Sequence, residues 1–134
     1  VLAGRGSDEG IDLLVRGFCR AGQDSVLICP PTFGMYKVAA KIQGAGVAEV
    51  PLDPDRGFAL DETRLWSMWH PGIKLVFLCT PNNPTGSYLG EHELEGARPG
   101  RLHEQGGRGG GTEKSWNGVF HNCCPCLFPD CGRE

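Results

Sequence analysis

The stretch Ser25-Val26-Leu27-Ile28-Cys29-Pro30-Pro31-Thr32-Phe33-Gly34-Met35-Tyr36 decides the fold class of this 134-residue chain. After Ser25 its first residues are uniformly apolar, and a short unbroken run of this kind suits a strand buried on both faces. The Pro-Pro pair ends that strand. Phe33 to Lys41 then has the period of a helix, with Met35, Val38, Ala39 and Ile42 on its apolar side.

The same succession repeats on either side. Upstream, Ile11, Leu14, Val15 and Phe18 fall at i, i+3, i+4 and i+7, which predicts a helix from Asp8 with Ser7 as its N-cap. Asp8 and Glu9 sit in its first turn and Arg16 and Arg20 near its end, as the macrodipole favours, before Gly22 as a stop. Ahead of it, Val1-Leu2-Ala3 reads as the end of a strand entering the turn Gly4-Arg5-Gly6. Downstream, Val47 to Leu52 reads as a strand leading into the turn Asp53-Pro54-Asp55-Arg56-Gly57. Asp61 caps a helix through Leu65, Met68 and Trp69 that Pro71-Gly72 ends, and Lys74 to Cys79 is the third strand. Strands separated by helices mark βαβ units, so the fold class is α/β with a mainly parallel sheet and flanking helices. These strands alone leave sheet edges and faces uncovered, so the stretch reads as part of a larger domain.

Composition divides the chain near Gly90. Val, Ile, Leu, Met and Phe supply 27 of the first 90 residues but six of the last 44, whereas the last 44 hold nine of the 21 glycines, five of them in Gly106-Gly107-Arg108-Gly109-Gly110-Gly111. Residues 1–90 therefore read as the folded part, and residues 91–134 as a low-complexity tail, disordered or produced by a shifted reading frame or misjoined exon. Thirteen basic against sixteen acidic residues give a formal charge of −3 with no basic block, which argues against nucleic acid as a partner. The longest apolar run, Leu75 to Cys79, is far short of the roughly 20 residues of a membrane span, and the first residues do not read as a signal peptide. Cys19, Cys29 and Cys79 are dispersed in apolar surroundings, as thiols in a reducing compartment are. His121, Cys123, Cys124, Cys126 and Cys131 are chemically suited to zinc, but adjacent Cys123-Cys124 without a second spaced pair is poor ligand spacing. No metal site is expected.

Three segments carry chemistry. In Gly6-Ser7-Asp8-Glu9-Gly10 a turn opens a helix whose first N–H groups have no intrahelical partner and attract an anion such as phosphate, although a capped surface helix reads the same way. Pro30 to Tyr36 leaves a strand with Phe33 placed to lie on a planar ligand, the alternative being that Phe33 and Tyr36 are core residues. Thr80-Pro81-Asn82-Asn83-Pro84-Thr85-Gly86 follows the third strand, where α/β sheets bind ligands, and offers two carboxamides between prolines. A turn alone uses Pro, Gly and Asn similarly, yet needs fewer of them.

Together the blocks Arg5 to Leu14 with Phe18-Cys19, Cys29 to Tyr36, and Phe77 to Gly86 resemble the pyridoxal-phosphate aminotransferases of fold type I, most closely the histidinol-phosphate aminotransferases, through residues 4–89. The resemblance implies a partial large domain of that fold and pyridoxal 5′-phosphate as cofactor. The backbone around Ser7, Asp8 and Glu9 would hold the phosphate, Phe33 would stack on the pyridine ring, and Asn83 would hydrogen-bond the ring's phenolic oxygen. It further implies amino transfer between L-glutamate/2-oxoglutarate and imidazole-acetol phosphate, amino-acid and 2-oxo-acid substrates, and a homodimer in the full-length parent. The location implied is the cytoplasm, or the plastid in a plant or alga. The family's Schiff-base lysine, in a Ser-x-x-Lys context, and its Asp-Glu-Ala-Tyr strand have no counterpart here. Lys37, Lys41, Lys74 and Lys114 stand in other contexts, so no catalytic residue is assigned and the 134 residues alone are expected to be inactive. Another class I/II aminotransferase, a threonine-phosphate decarboxylase and a catalytically dead remnant of the fold are the alternatives. A nucleotide-binding module would need the Gly-x-Gly-x-x-Gly spacing that the Gly6 to Gly10 turn lacks.

Overall fold

The computed structural model describes residues 4–97 and 119–122. Its elements run α1 (Ser7–Phe18), β1 (Ser25–Ile28), α2 (Met35–Gln43), β2 (Gly46–Glu49), a 3-10 turn (Pro54–Arg56), α3 (Glu62–Ser67), β3 (Ile73–Cys79), α4 (Glu91–Gly96) and β4 (Val119–Asn122). The sheet order is β2-β1-β3-β4 with every pair parallel, which is the α/β architecture expected from the sequence.

The uniformly apolar strands are buried on both faces. Val26 and Ile28 of β1 join Leu75, Phe77 and Cys79 of β3 in a core with Ile11, Val15, Tyr36, Ala39 and Ala40 of α1 and α2. Leu27 and Cys29 face the other way, with Val76 and Leu78 of β3 and Leu65 of α3. One sheet between two helical layers removes both strand faces from water, which is why alternation is absent from β1 and β3. Burial pushes the Cys29 thiol up to about 12. Cys19, Cys29 and Cys79 are all buried and reduced.

Several local expectations shift. Gly6, not Ser7, is the N-cap of α1, with φ 113° and no side-chain cap. The helix ends at Phe18, well before Gly22, because Arg20 and Asp24 turn the chain there. Ile11, Val15 and Cys19, at i, i+4 and i+8, take the buried stripe, and Phe18 is exposed. In α2 the buried residues are Tyr36, Ala39 and Ala40, while Val38 is exposed and Ile42 is 65 % exposed. The sequence pattern Met35, Val38, Ala39, Ile42 is thus displaced by one residue, because Tyr36 gains more by stacking on Phe77 (centroids 4.6 Å apart, planes 7° apart) than Met35 would by the same burial. Strand β2 stops at Glu49, although Val50 and Leu52 remain buried beyond it. Asp61 caps α3 as expected, accepting from the Arg64 N–H at 2.9 Å.

Beyond residue 90, α4 and β4 are regular elements within the segment read as a low-complexity tail, disordered or frame-shifted. β4 pairs with β3 from Val76↔Val119 to Cys79↔Asn122. The rest of that segment, including Cys123, Cys124, Cys126 and Cys131, lies outside the described residues, as do Val1 to Ala3.

Asp24 closes the opposite end of the sheet from the candidate motifs. It is 3 % exposed, and its carboxylate accepts from Arg20 N (2.9 Å), Nε (2.8 Å) and Nη2 (3.1 Å), with Lys74 Nζ at 4.0 Å. The Arg20 side chain, then the Arg20 backbone N–H, hold its carboxyl down at about 2. A depressed folded-state value means that the clasp stabilises the fold above the unfolded carboxyl's pKa of about 4, and that this contribution disappears as pH falls towards 2. Urea midpoints of the natural chain and of Asp24→Asn should therefore differ at neutral pH and converge as pH falls from about 4 towards 2. A pH-independent difference would assign Asp24 an uncharged structural role instead.

No helix among the described residues is long and apolar enough to cross a membrane.

Candidate functional site

β1 and β3 are adjacent and parallel, so the segments that leave their carboxyl ends emerge side by side. One begins at Cys29 and carries Phe33; the other begins at Thr80 and carries Asn82 and Asn83. α1 returns the chain to the amino end of β1 through the Arg20–Asp24 clasp, so its first turn lies towards the carboxyl edge, where such sheets present ligand sites.

Ser7 and Glu9 are half-buried and Asp8 is exposed. Glu9 bends back over the helix start, where Oε2 accepts the Arg5 N–H and Oε1 lies 3.5 Å from the exposed Arg5 guanidinium. This is a displaced capping box, the acceptor three residues into the helix reaching past the N-cap. Gly6 supplies no side chain to the first-turn N–H groups, and those groups have no intrahelical carbonyl to bond. What the helix start offers a ligand is backbone donors and the positive end of the dipole.

Phe33 is half-buried and packs against the core below it. Its ring meets Tyr36 edge-on, with centroids 5.7 Å apart and planes at 83°, and Tyr36 in turn stacks on Phe77. Phe33 is thus backed by the core and only partly withdrawn from solvent. Asn83 is exposed; its neighbour Asn82 is 5 % exposed. Asn82 Nδ2 donates to Pro31 O at 2.8 Å and to Thr85 Oγ1 at 2.7 Å, while Oδ1 is buried with no hydrogen-bond partner among the described residues. Thr80 Oγ1 accepts from Leu89 N at 3.0 Å and closes the base of the loop. The Pro30–Pro31, Thr80–Pro81 and Asn83–Pro84 bonds are cis.

Sequence reasoning singled out both asparagines but had no means of separating an exposed carboxamide from a buried one. It also missed the Asn82 bridge, whose partner is 51 residues away. The lysines are engaged elsewhere or lie elsewhere: Lys37 pairs with Glu49 at 2.7 Å, Lys74 donates to Pro71 O at 2.9 Å, Lys41 is in the last turn of α2, and Lys114 is outside the described residues.

The family model of aminotransferase class I and II matches residues 1–97. A histidinol-phosphate aminotransferase of Colwellia psychrerythraea is 50 % identical over 99 residues, covering 72 % of this chain and 27 % of that protein. Among solved structures, N-succinyldiaminopimelate aminotransferase of Mycobacterium tuberculosis superposes with a TM-score of 0.64 at 36 % identity, covering 68 % of this chain and 24 % of that one. Cystalysin of Treponema denticola, whose crystal structure contains a pyridoxal 5′-phosphate cofactor, superposes with a TM-score of 0.64 at 26 % identity, covering 69 % of this chain and 24 % of that one. The chain spans about a quarter of the length of the curated relatives it matches.

Proposed function

The chain belongs to the class I and II aminotransferases, and from that membership we propose that the whole protein is a pyridoxal-phosphate-dependent transaminase of the histidinol-phosphate aminotransferase type. It exchanges an amino group between L-glutamate/2-oxoglutarate and imidazole-acetol phosphate, as a homodimer in the cytoplasm. The observation that supports this reading is the topology: adjacent parallel β1 and β3 send the segments of Phe33, an aromatic plate backed by the core, and Asn83, an exposed carboxamide, from the same end of the sheet, towards which the bare helix-start N–H groups of α1 also lie.

These residues fit the proposed cofactor by their chemistry. A phosphate suits the first-turn N–H groups of α1; Asp8 there is exposed, and the Glu9 carboxylate, folded back over the helix start, is taken up by the Arg5 N–H and guanidinium. Ser7, Asp8 and Glu9 would hold it through main-chain N–H groups. Phe33 would support one face of a pyridine ring, and the Asn83 carboxamide would donate to its phenolic oxygen. Pyridoxal phosphate, when bound, supplies an electron sink for carbanion chemistry at an amino acid's α-carbon. The residues present orient that group; the proton-transferring lysine is not assigned within this chain. The three buried, reduced cysteines support a reducing compartment. Exposed Leu13 on α1 and Val38 and Ile42 on α2 fit a surface that further protein covers.

Retained cofactor groups do not select a substrate, and the 36 % identity to N-succinyldiaminopimelate aminotransferase favours a second reading, a class I/II transaminase of other substrate choice. Comparing kcat/KM of the whole enzyme for imidazole-acetol phosphate with that for other 2-oxo acids decides between them. A preference for another oxo acid overturns the histidinol-phosphate assignment. In the 134-residue chain, Asn83→Ala and Phe33→Ala should each raise the Kd for pyridoxal 5′-phosphate about tenfold, the size of one lost charge-assisted hydrogen bond or ring contact. Equilibrium dialysis reads this directly, and unchanged Kd values for both variants would remove these residues from the cofactor site.

A further inference from the structure

We propose that Asn82 is a positioning residue that sets the spacing between the Phe33 segment and the Asn83 segment; the proposal rests on the cofactor reading above and assigns the adjustment of that same site. The need for such a residue follows from the prolines. Beyond the last paired residues of β1 and β3, Pro30 and Pro31 on one side and Pro81 and Pro84 on the other have no N–H to continue the ladder. The Pro30-Pro31 segment can be held by hydrogen bonds only through its carbonyls. Pro30 O accepts from Leu52 N at 2.7 Å on the β2 side, and Pro31 O accepts from Asn82 Nδ2 at 2.8 Å on the β3 side. A side chain thus replaces the missing ladder donor at the point where the strands diverge towards the ligand groups.

Asn82 is itself locked. Its backbone N–H donates to Ser87 O and its carbonyl accepts from Gly86 N, both at 2.7 Å. Its second amide proton goes to Thr85 Oγ1, which also accepts from Ser87 N at 3.2 Å. With both lone pairs taken, the Thr85 hydroxyl donates to Ser87 Oγ at 2.7 Å. Because Pro31 O is acceptor only, the amide orientation is settled by chemistry, with Nδ2 towards the proline segment. Turning the Asn82 side chain therefore breaks two bonds at once and releases the Pro31 carbonyl, while the Asn82 backbone and its covalent neighbour Asn83 stay held by the Ser87 and Gly86 bonds. Phe33 lies two residues beyond the accepting carbonyl.

Asn82→Asp tests this, since it keeps the shape and removes both donors. In the 134-residue chain without cofactor, amide exchange at Leu52 and Tyr36, whose N–H groups donate to Pro30 O and Phe33 O, should accelerate about tenfold, as expected for the loss of one buried hydrogen bond that holds their acceptors, while exchange within residues 11–18 of α1 stays unchanged. The Kd for pyridoxal 5′-phosphate should rise about tenfold, and that rise should vanish in the Phe33→Ala background, because the two residues then act through one contact. Unchanged exchange at Leu52 and Tyr36, or strictly additive effects on Kd, overturns the proposal. Accelerated exchange throughout the chain also overturns it, by making Asn82 a general structural residue; Asn82→Ala, which leaves no buried carboxylate, checks that result. If the natural chain, Phe33→Ala and Asn83→Ala all fail to bind pyridoxal 5′-phosphate, the cofactor reading falls, and the exchange at Leu52 and Tyr36 still decides whether Asn82 tethers the two segments.

Discussion

Phe77→Ala should destabilise the fold by about 3–5 kcal/mol, the usual cost of removing a fully buried phenyl ring. Phe77 is 2 % exposed in β3, paired in register with Ile28 of β1 and Phe120 of β4, and covered by the parallel ring of Tyr36. Its removal leaves a cavity in the rigid middle of the sheet, where neighbouring strands cannot collapse inward. Domains are stable by only about 5–15 kcal/mol, so this one change takes a large share of the total. Ile42→Ala, at a far more exposed position, should stay within about 0.5 kcal/mol and serves as the control. The consequence reaches the site, because Phe33 leans on Tyr36 and Tyr36 on Phe77. Phe77→Leu keeps most of the buried volume but loses the ring stack, so it should cost about 1–2 kcal/mol and leave a folded chain in which the effect on Phe33 can be read separately. Urea unfolding followed by circular dichroism measures both variants; a loss under about 1 kcal/mol for Phe77→Ala would show that the core repacks around the gap.

Glycine-to-alanine changes along α1 should have opposite signs depending on position. At Gly6, φ 113° and ψ −176° lie in a region that only glycine occupies readily, so Gly6→Ala should cost about 1–3 kcal/mol or force the turn to change. No atom lies within 4 Å of the added Cβ, which makes this cost one of backbone torsion and not of collision. At Gly10 and Gly17, inside the helix and with equally open surroundings, alanine should instead stabilise by about 0.5–1 kcal/mol. Only Gly6 sits where the first-turn N–H groups are aimed. Its replacement should therefore weaken pyridoxal 5′-phosphate binding more than about tenfold, whereas Gly17→Ala should leave binding unchanged. Urea midpoints and dialysis on the same three variants give both quantities. Equal stability changes at Gly6 and Gly17 would mean that the turn relaxes without strain.

What the sequence determined by itself was local in origin. Uniformly apolar Val26 to Cys29 and Leu75 to Cys79 specified doubly covered strands, and the helices between them specified a parallel sheet, because strand burial and crossover length are written in a few neighbouring residues. The Asp61 cap of α3 was legible for the same reason. So were the proline-rich segments that leave the carboxyl ends of β1 and β3, since turn residues and strand ends lie together in the chain. The departures came wherever two local solutions were nearly equal. Met35 and Tyr36 head two helical stripes 100° apart, and the Phe77 ring across the layer selected the second. Ser7 and Gly6 could each cap α1, and Glu9 folding back to Arg5 favoured Gly6. Asn82 and Asn83 are the same residue type at adjacent positions, and nothing in that local text marks one for burial. The Pro31 carbonyl, 51 residues earlier in the chain, settled it by requiring a donor that no nearby proline could supply. Periodicity and turn chemistry act over a few residues and so are readable in order; the choice among equivalent faces and equivalent side chains depends on surfaces that meet only after the chain has folded.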